Sequence, residues 1–192
     1  MSETDEEQKY VKEAFDTNWV APLGPNVNGF EDDLKAFVSK NSDGSELSRE
    51  VVALSAGTAA VHLGLLASGV GPGDEVCVQS FTFCASSHPI TYLGATPVFI
   101  DSEPDSWNMD PELLEKAIID RKEKTGKYPK AIVPVALYGM PYDCDKIMAI
   151  SEKYGIPVVE DAAEGCGSRW KGQVLGTFGK FGVLSFNGNK MI

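Results

Sequence analysis

From residue 50 to residue 186 the chain alternates short apolar runs with longer stretches of helical period, and few folds satisfy that rhythm. EVVALS (50–55), EVCVQS (75–80), TPVFID (96–101), KAIVPVAL (130–137), IPVVED (156–161) and FGVLSF (181–186) read as strands. Between them, residues 57–69, 83–93, 110–124 and 143–155 read as helices. Val61, Leu65 and Leu66 recur at helical spacing, Pro111 stands at a helix start, Gly155 follows a helix end, and Pro89 is expected to kink or delimit its segment. Strands that are apolar throughout, each followed by a helix, are buried on both faces. They predict a mostly parallel sheet in a three-layer α/β/α arrangement.

The N-terminal part is organised differently. Residues 5–15 read as a short amphipathic helix, 18–27 as an irregular loop carrying Pro22, Gly24 and Pro25, and 27–40 as a helix with Phe30, Leu34 and Phe37 on one stripe. After the turn NSDGS the α/β rhythm begins. We therefore divide the 192 residues into an N-terminal region, 1–45, and an α/β domain, 46–192.

Composition narrows the partners. The net charge is −11 with no basic block, which argues against nucleic acid and against anionic membrane surfaces. It leaves room for a phosphorylated small molecule, because backbone N–H groups bind phosphate without net positive charge. No apolar run reaches the length of a membrane span, and the acidic start MSETDEEQKY has no apolar signal-peptide core. Cys77, Cys84, Cys144 and Cys166 form no Cys-x-x-Cys pair, and His62 and His88 are distant in sequence. Reduced thiols in a cytoplasmic setting, and no metal site, are the expectation.

Parallel sheets carry their ligand groups just beyond the carboxyl ends of the strands. Gly57 and Thr58 there open a helix, whose free N–H groups and dipole suit an anion or an ordinary cap. Phe81 and Phe83 alternate; core packing is the default for both, with one as a possible aromatic platform. Glu160 and Asp161 close a buried run, where a carboxylate needs donors or a cation. Ser185 and Lys190 follow the last strand; an enclosed lysine is a nucleophile toward carbonyl compounds. A phosphate cradle, a stacking aromatic, a carboxylate and a lysine are together what pyridoxal phosphate requires. A nucleotide-binding Rossmann module fits less well, because SAGTAA lacks the G-x-G-x-x-G spacing.

The motifs NWVAPLGPNVNGFE, LSAGTAAVHLGL, GPGDEVCVQSFTFCAS, VPVALYGMPYD, VVEDAAEGCGS and GTFGKFGVLSFNGNK resemble the DegT/DnrJ/EryC1/StrS sugar aminotransferases over nearly the whole chain. The resemblance implies the large domain of the fold type I pyridoxal-phosphate transferases. It implies that Gly57, Thr58, Ala59 and Ser185 hold the cofactor phosphate, Phe83 stacks on the ring, and Asp161 pairs with the pyridine nitrogen. Lys190 would form the Schiff base with pyridoxal 5'-phosphate and move the proton, and Glu164 would lie near the ring. Trp19 and Gly24 would border the substrate. A lysine at 190, where dehydratase relatives carry histidine, points to amino transfer.

SFNGNK looks like the branch acting on UDP-linked 4-keto-6-deoxy N-acetyl sugars, which makes 4-amino sugars for surface polysaccharide or glycans. The implied partners are a nucleotide-sugar, an amino donor such as glutamate, and a second copy in a homodimer. Family members continue for about as many residues again. The resemblance therefore predicts an incomplete piece without the small C-terminal domain, the alternative being a folded, non-catalytic fragment.

Overall fold

The computed structural model describes residues 5–190. Its described residues fall into two compact units, 5–40 with 44–53, and 41–43 with 54–190.

The first unit holds α1 (Glu6–Asp16) and α2 (Pro25–Val38). The loop expected over 18–27 is shorter, because Pro25 stands in the first turn of α2, where its missing N–H costs nothing. Val38 is the one buried residue of α2; Phe30 and Phe37 stay near the surface.

The strand expected at 50–55 does not form. Val52 is 70% exposed, and the Ala53 N–H donates to the Glu31 carboxylate at 2.7 Å instead of to a neighbouring strand. An apolar run becomes a strand only where another strand takes its backbone groups.

The second unit begins with α3 (Gly57–Ala67) and is built on β1 (Glu75–Gln79), which pairs in parallel with β2 (Thr96–Ile100) on one side and β3 (Ala131–Val133) on the other. β4 (Val159–Asp161) pairs in parallel with β7 (Phe181–Val183). Parallel bridges Ile132 to Val158 and Val135 to Asp161 set β4 beside β3, so the strand order is β2-β1-β3-β4-β7. β3 stops early because Pro134 has no N–H to donate, although its carbonyl still accepts from Asp161 N–H at 3.0 Å.

Alternation along these strands makes two cores. Val76, Val78, Val133 and Val159 pack with Val61 and Leu65 of α3 and with Ile90 of α4 (His88–Tyr92). Cys77, Ile132 and Val158 pack on the other side with Leu114 and Ile118 of α5 (Pro111–Thr125) and Ile147 of α6 (Cys144–Tyr154). The result is the predicted three-layer α/β/α arrangement.

Local chemistry sets the helix ends. Asp110 accepts from Glu112 and Leu113 N–H at 2.7 and 3.2 Å, and Gly126 closes α5 with φ of 76°. The segment 83–93 splits into a 3-10 turn at Cys84–Ser86 and α4, with Pro89 in the first turn of α4. A small antiparallel hairpin, β5 (Arg169–Trp170) and β6 (Gln173–Val174), was not anticipated. Its two-residue turn needs positive φ at Lys171 and Gly172, 48° and 91°. In β7, a Cβ at Gly182 would overlap the Gly176 carbonyl, so only glycine fits.

Candidate active site

β4 delivers Asp161 to the carboxyl edge of the sheet. Its backbone is held on the β3 side by the bond to Pro134 O and by Ala136 N–H, which donates to Asp161 O at 3.0 Å. The side chain is 5% exposed. Ser86 Oγ donates to Oδ2 at 2.6 Å and Ala163 N–H donates to Oδ1 at 3.2 Å. Burial pushes the carboxyl above its ordinary value; the two hydrogen bonds and the charge of Lys190 pull it down, and Glu164 pushes it up.

The preceding residue, Glu160, has a different task. It is fully buried and accepts from the N–H groups of Gly176, Phe178 and Gly179 at 2.6, 3.0 and 3.4 Å. It organises the loop that leads into β7. Of the two carboxylates at this strand end, Asp161 is the one near Lys190.

β7 ends at Val183, and the chain beyond it brings Ser185 back to the start of α3. A Cβ placed on Gly57 would sit 3.4 Å from Ser185 Cβ and 3.6 Å from its Oγ. The first backbone bond of α3 is Ala60 N–H to Ala56 O, so the N–H groups of Gly57, Thr58 and Ala59 lie ahead of the helical ladder. No side chain caps this helix end. The structure thus brings Gly57, Thr58, Ala59 and Ser185 into one place.

Lys190 follows a tight turn in which its N–H donates to Asn187 O at 2.8 Å. Its Nζ makes an ion pair with Glu164 Oε1 at 2.9 Å and lies 6.0 Å from the centre of the Phe83 ring. The other Glu164 oxygen accepts from Tyr138 N–H at 2.6 Å. Tyr138 has φ of 52°, uncommon for a residue with a side chain, so Glu164 fixes a lysine and a left-handed turn at once.

Neither Phe81 nor Phe83 is core. β1 ends at Gln79, so both have left the sheet; Phe81 lies 5.9 Å from Trp107, and Phe83 is 68% exposed with one face toward Lys190. Trp19 and Gly24 lie in the N-terminal unit, where a Cβ on Gly24 would come to 2.9 Å of the Trp19 ring.

Sequence reasoning missed Ser86, Thr82 and Tyr138. Ser86 lies 75 positions from Asp161, and no local pattern couples them. Among the described residues no cluster of His, Cys, Asp and Glu has a metal-binding arrangement, and no helix is long and apolar enough to cross a membrane.

Known proteins carry the same chain pattern. EpsN of Bacillus subtilis (strain 168), named as a pyridoxal phosphate-dependent aminotransferase, is 50% identical over 186 residues, 97% of this chain and 46% of EpsN. A GDP-perosamine synthase of Caulobacter vibrioides is 40% identical over 186 residues, with the same shares of 97% and 46%. The chain spans about half the length of these curated relatives. The crystal structure of a DegT DnrJ EryC1 StrS aminotransferase from Brucella abortus superposes with a TM-score of 0.83 at 35% identity, over 92% of this chain and 45% of that one. The α/β/α unit has the fold type I architecture of pyridoxal-phosphate-dependent aminotransferases. Since residues 1–192 all match the family's pattern, the chain belongs to the DegT/DnrJ/EryC1/StrS aminotransferase family.

Proposed function

We propose that the protein acts in pyridoxal-phosphate-dependent amino transfer to a nucleotide-linked 4-keto-6-deoxy sugar, making a 4-amino sugar. The observation that carries this reading is the convergence of Lys190, Glu164, Phe83 and Asp161 at one edge of a parallel sheet, with the start of α3 beside Ser185. A fitting ligand has an anion for the α3 N–H groups, a flat ring for Phe83, a protonated nitrogen for Asp161 and a carbonyl for Lys190. Pyridoxal phosphate has all four. When bound, it supplies an electron sink for the carbanion that amino transfer requires.

The chain's own groups divide the remaining work. Gly57, Thr58 and Ala59 N–H with the Ser185 hydroxyl bind the phosphate, where the helix dipole adds to the hydrogen bonds. Phe83, whose ring faces Lys190, would cover one face of the cofactor ring. Asp161, a buried carboxyl raised by desolvation, would be stabilised by a cation, so it would hold a protonated ring nitrogen. Lys190 Nζ would hold the cofactor's carbonyl carbon and serve as the base that moves the proton. Glu164 orients that amine. By the family resemblance, the loop carrying Trp19 and Gly24 would border the sugar.

The name of the Caulobacter relative supports a nucleotide-sugar substrate. The SFNGNK motif supports a UDP-linked N-acetyl sugar, and glutamate is the donor we propose with it. A cytoplasmic homodimer accords with the family resemblance.

The test begins with cofactor attachment. Borohydride should fix the cofactor onto Lys190, identified by peptide mass, and Lys190→Ala should abolish labelling with the fold intact. Equal labelling of Lys190→Ala refutes the assignment. Assays with UDP- and GDP-linked 4-keto-6-deoxy sugars and glutamate then test the substrate.

A further inference from the structure

Both carboxyl oxygens of Asp161 have protein partners, and the one on Oδ2 is itself held. Ser86 is 1% exposed, donates to Asp161 at 2.6 Å, and has its Oγ 2.8 Å from Thr82 Oγ1. Counting protons gives this contact a direction. An ionised carboxylate only accepts, and a serine hydroxyl has one proton. Ser86 spends that proton on Asp161, so the proton between the two hydroxyls belongs to Thr82. The chain runs Thr82 to Ser86 to Asp161, from a half-buried position to a buried one.

We propose that Thr82 and Ser86 are positioning residues for Asp161: they hold its carboxyl in one plane and favour its ionised form. The inference rests on the role given to Asp161 above. Ser86 on Oδ2 and Ala163 N–H on Oδ1 together oppose rotation of the carboxyl group. A hydroxyl that accepts one hydrogen bond donates a stronger one, so Thr82 acts on Asp161 through Ser86. The charged groups acting on the same carboxyl are Lys190, which favours ionisation, and Glu164, which opposes it. Neither fixes the plane of the carboxyl as the two donors do.

The test is a carbon-13 NMR titration of the Asp161 carboxyl in the whole chain without added cofactor, assigned with Asp161→Asn. Ser86→Ala should move the titration midpoint up by about one pH unit or more, the shift for losing a hydrogen bond to a charged acceptor. Thr82→Val should move it the same way by less, and Thr82→Ser should restore it. A residue with a purely structural role would change stability and leave the midpoint in place. An unchanged midpoint in folded Ser86→Ala, or in Thr82→Val, overturns the proposal; if Ser86→Ala does not fold, the Thr82 pair decides. Borohydride labelling of the same proteins after pyridoxal phosphate is added separates the two readings. An unmoved midpoint with labelling intact rejects the hydroxyl chain alone, and absent labelling of the unmodified protein rejects the cofactor role alone.

Discussion

Glu160 and Asp161 are consecutive residues of β4 whose carboxylates serve different parts of the molecule. Glu160 takes the N–H groups of Gly176, Phe178 and Gly179, while Asp161 takes the Ser86 hydroxyl and Ala163 N–H. Successive strand residues point to opposite faces, so a single strand end supports both the loop before β7 and the candidate site. Replacing each carboxylate by its amide separates the two tasks.

Glu160→Gln is expected to destabilise the protein by about 1–3 kcal/mol, because the new NH2 group faces backbone donors and leaves one unpaired. Chemical denaturation measures the loss. A variant as stable as the parent would show that the three N–H bonds are dispensable.

The pH dependence has a definite sign. Burial raises Asp161 above 3.8 and Glu160 above 4.5 in the native state. In the window between those values and the raised ones, the native state holds more protons than the unfolded chain. Their contribution is therefore full at the acid end and lost as pH rises through the window. Asp161→Asn removes one of these groups. The melting temperature of the cofactor-free variant should fall less than the parent's as pH rises from 3.8, read by thermal unfolding across that range. A steeper pH dependence in the variant would contradict this.

Glu164→Ala should free two groups at once. Lys190 loses its partner at 2.9 Å, and the N–H of Tyr138, whose φ is 52°, loses an acceptor at 2.6 Å. Hydrogen exchange at Tyr138 should accelerate, and stability should fall by about 1–2 kcal/mol. Unchanged exchange would mean that Glu164 does not hold the turn.

A buried amide pair ties the end of β1 to the backbone of neighbouring loops. Gln79 accepts from Met109 N–H at 2.8 Å and donates to Phe81 O at 2.9 Å and to Asn108 Oδ1 at 3.3 Å. Asn108 accepts from Leu137 N–H at 3.2 Å and donates to Met140 O at 2.9 Å. Asn108→Ala leaves these backbone groups unpaired in the interior, with an expected loss of about 2–4 kcal/mol. Asn108→Asp keeps the acceptor for Leu137 and loses the donor to Met140, so it should differ from Asn108→Ala in urea unfolding.

Helices α3, α5 and α6 and strands β1 and β2 were legible in the sequence, because their signals are local: apolar period, Asp110 and Pro111 before α5, Gly155 after α6. The placement of Asp161, Ser185 and Lys190 after apolar runs was legible for the same reason. What they touch was decided elsewhere in the chain. The run at 50–55 is as apolar as β1, yet Glu31 takes the Ala53 N–H and no ladder forms. Spacing alone did not say which of Phe81 and Phe83 leaves the core; because β1 ends at Gln79 both do, and Phe83 faces Lys190. Ser86 reaches Asp161 across 75 positions, and Lys190 reaches Glu164 across 26. A residue's own neighbours fix its backbone preference, since those forces act within a turn or a strand. Hydrogen bonds and ion pairs act over about 3 Å, and only the packed layers bring distant residues that close.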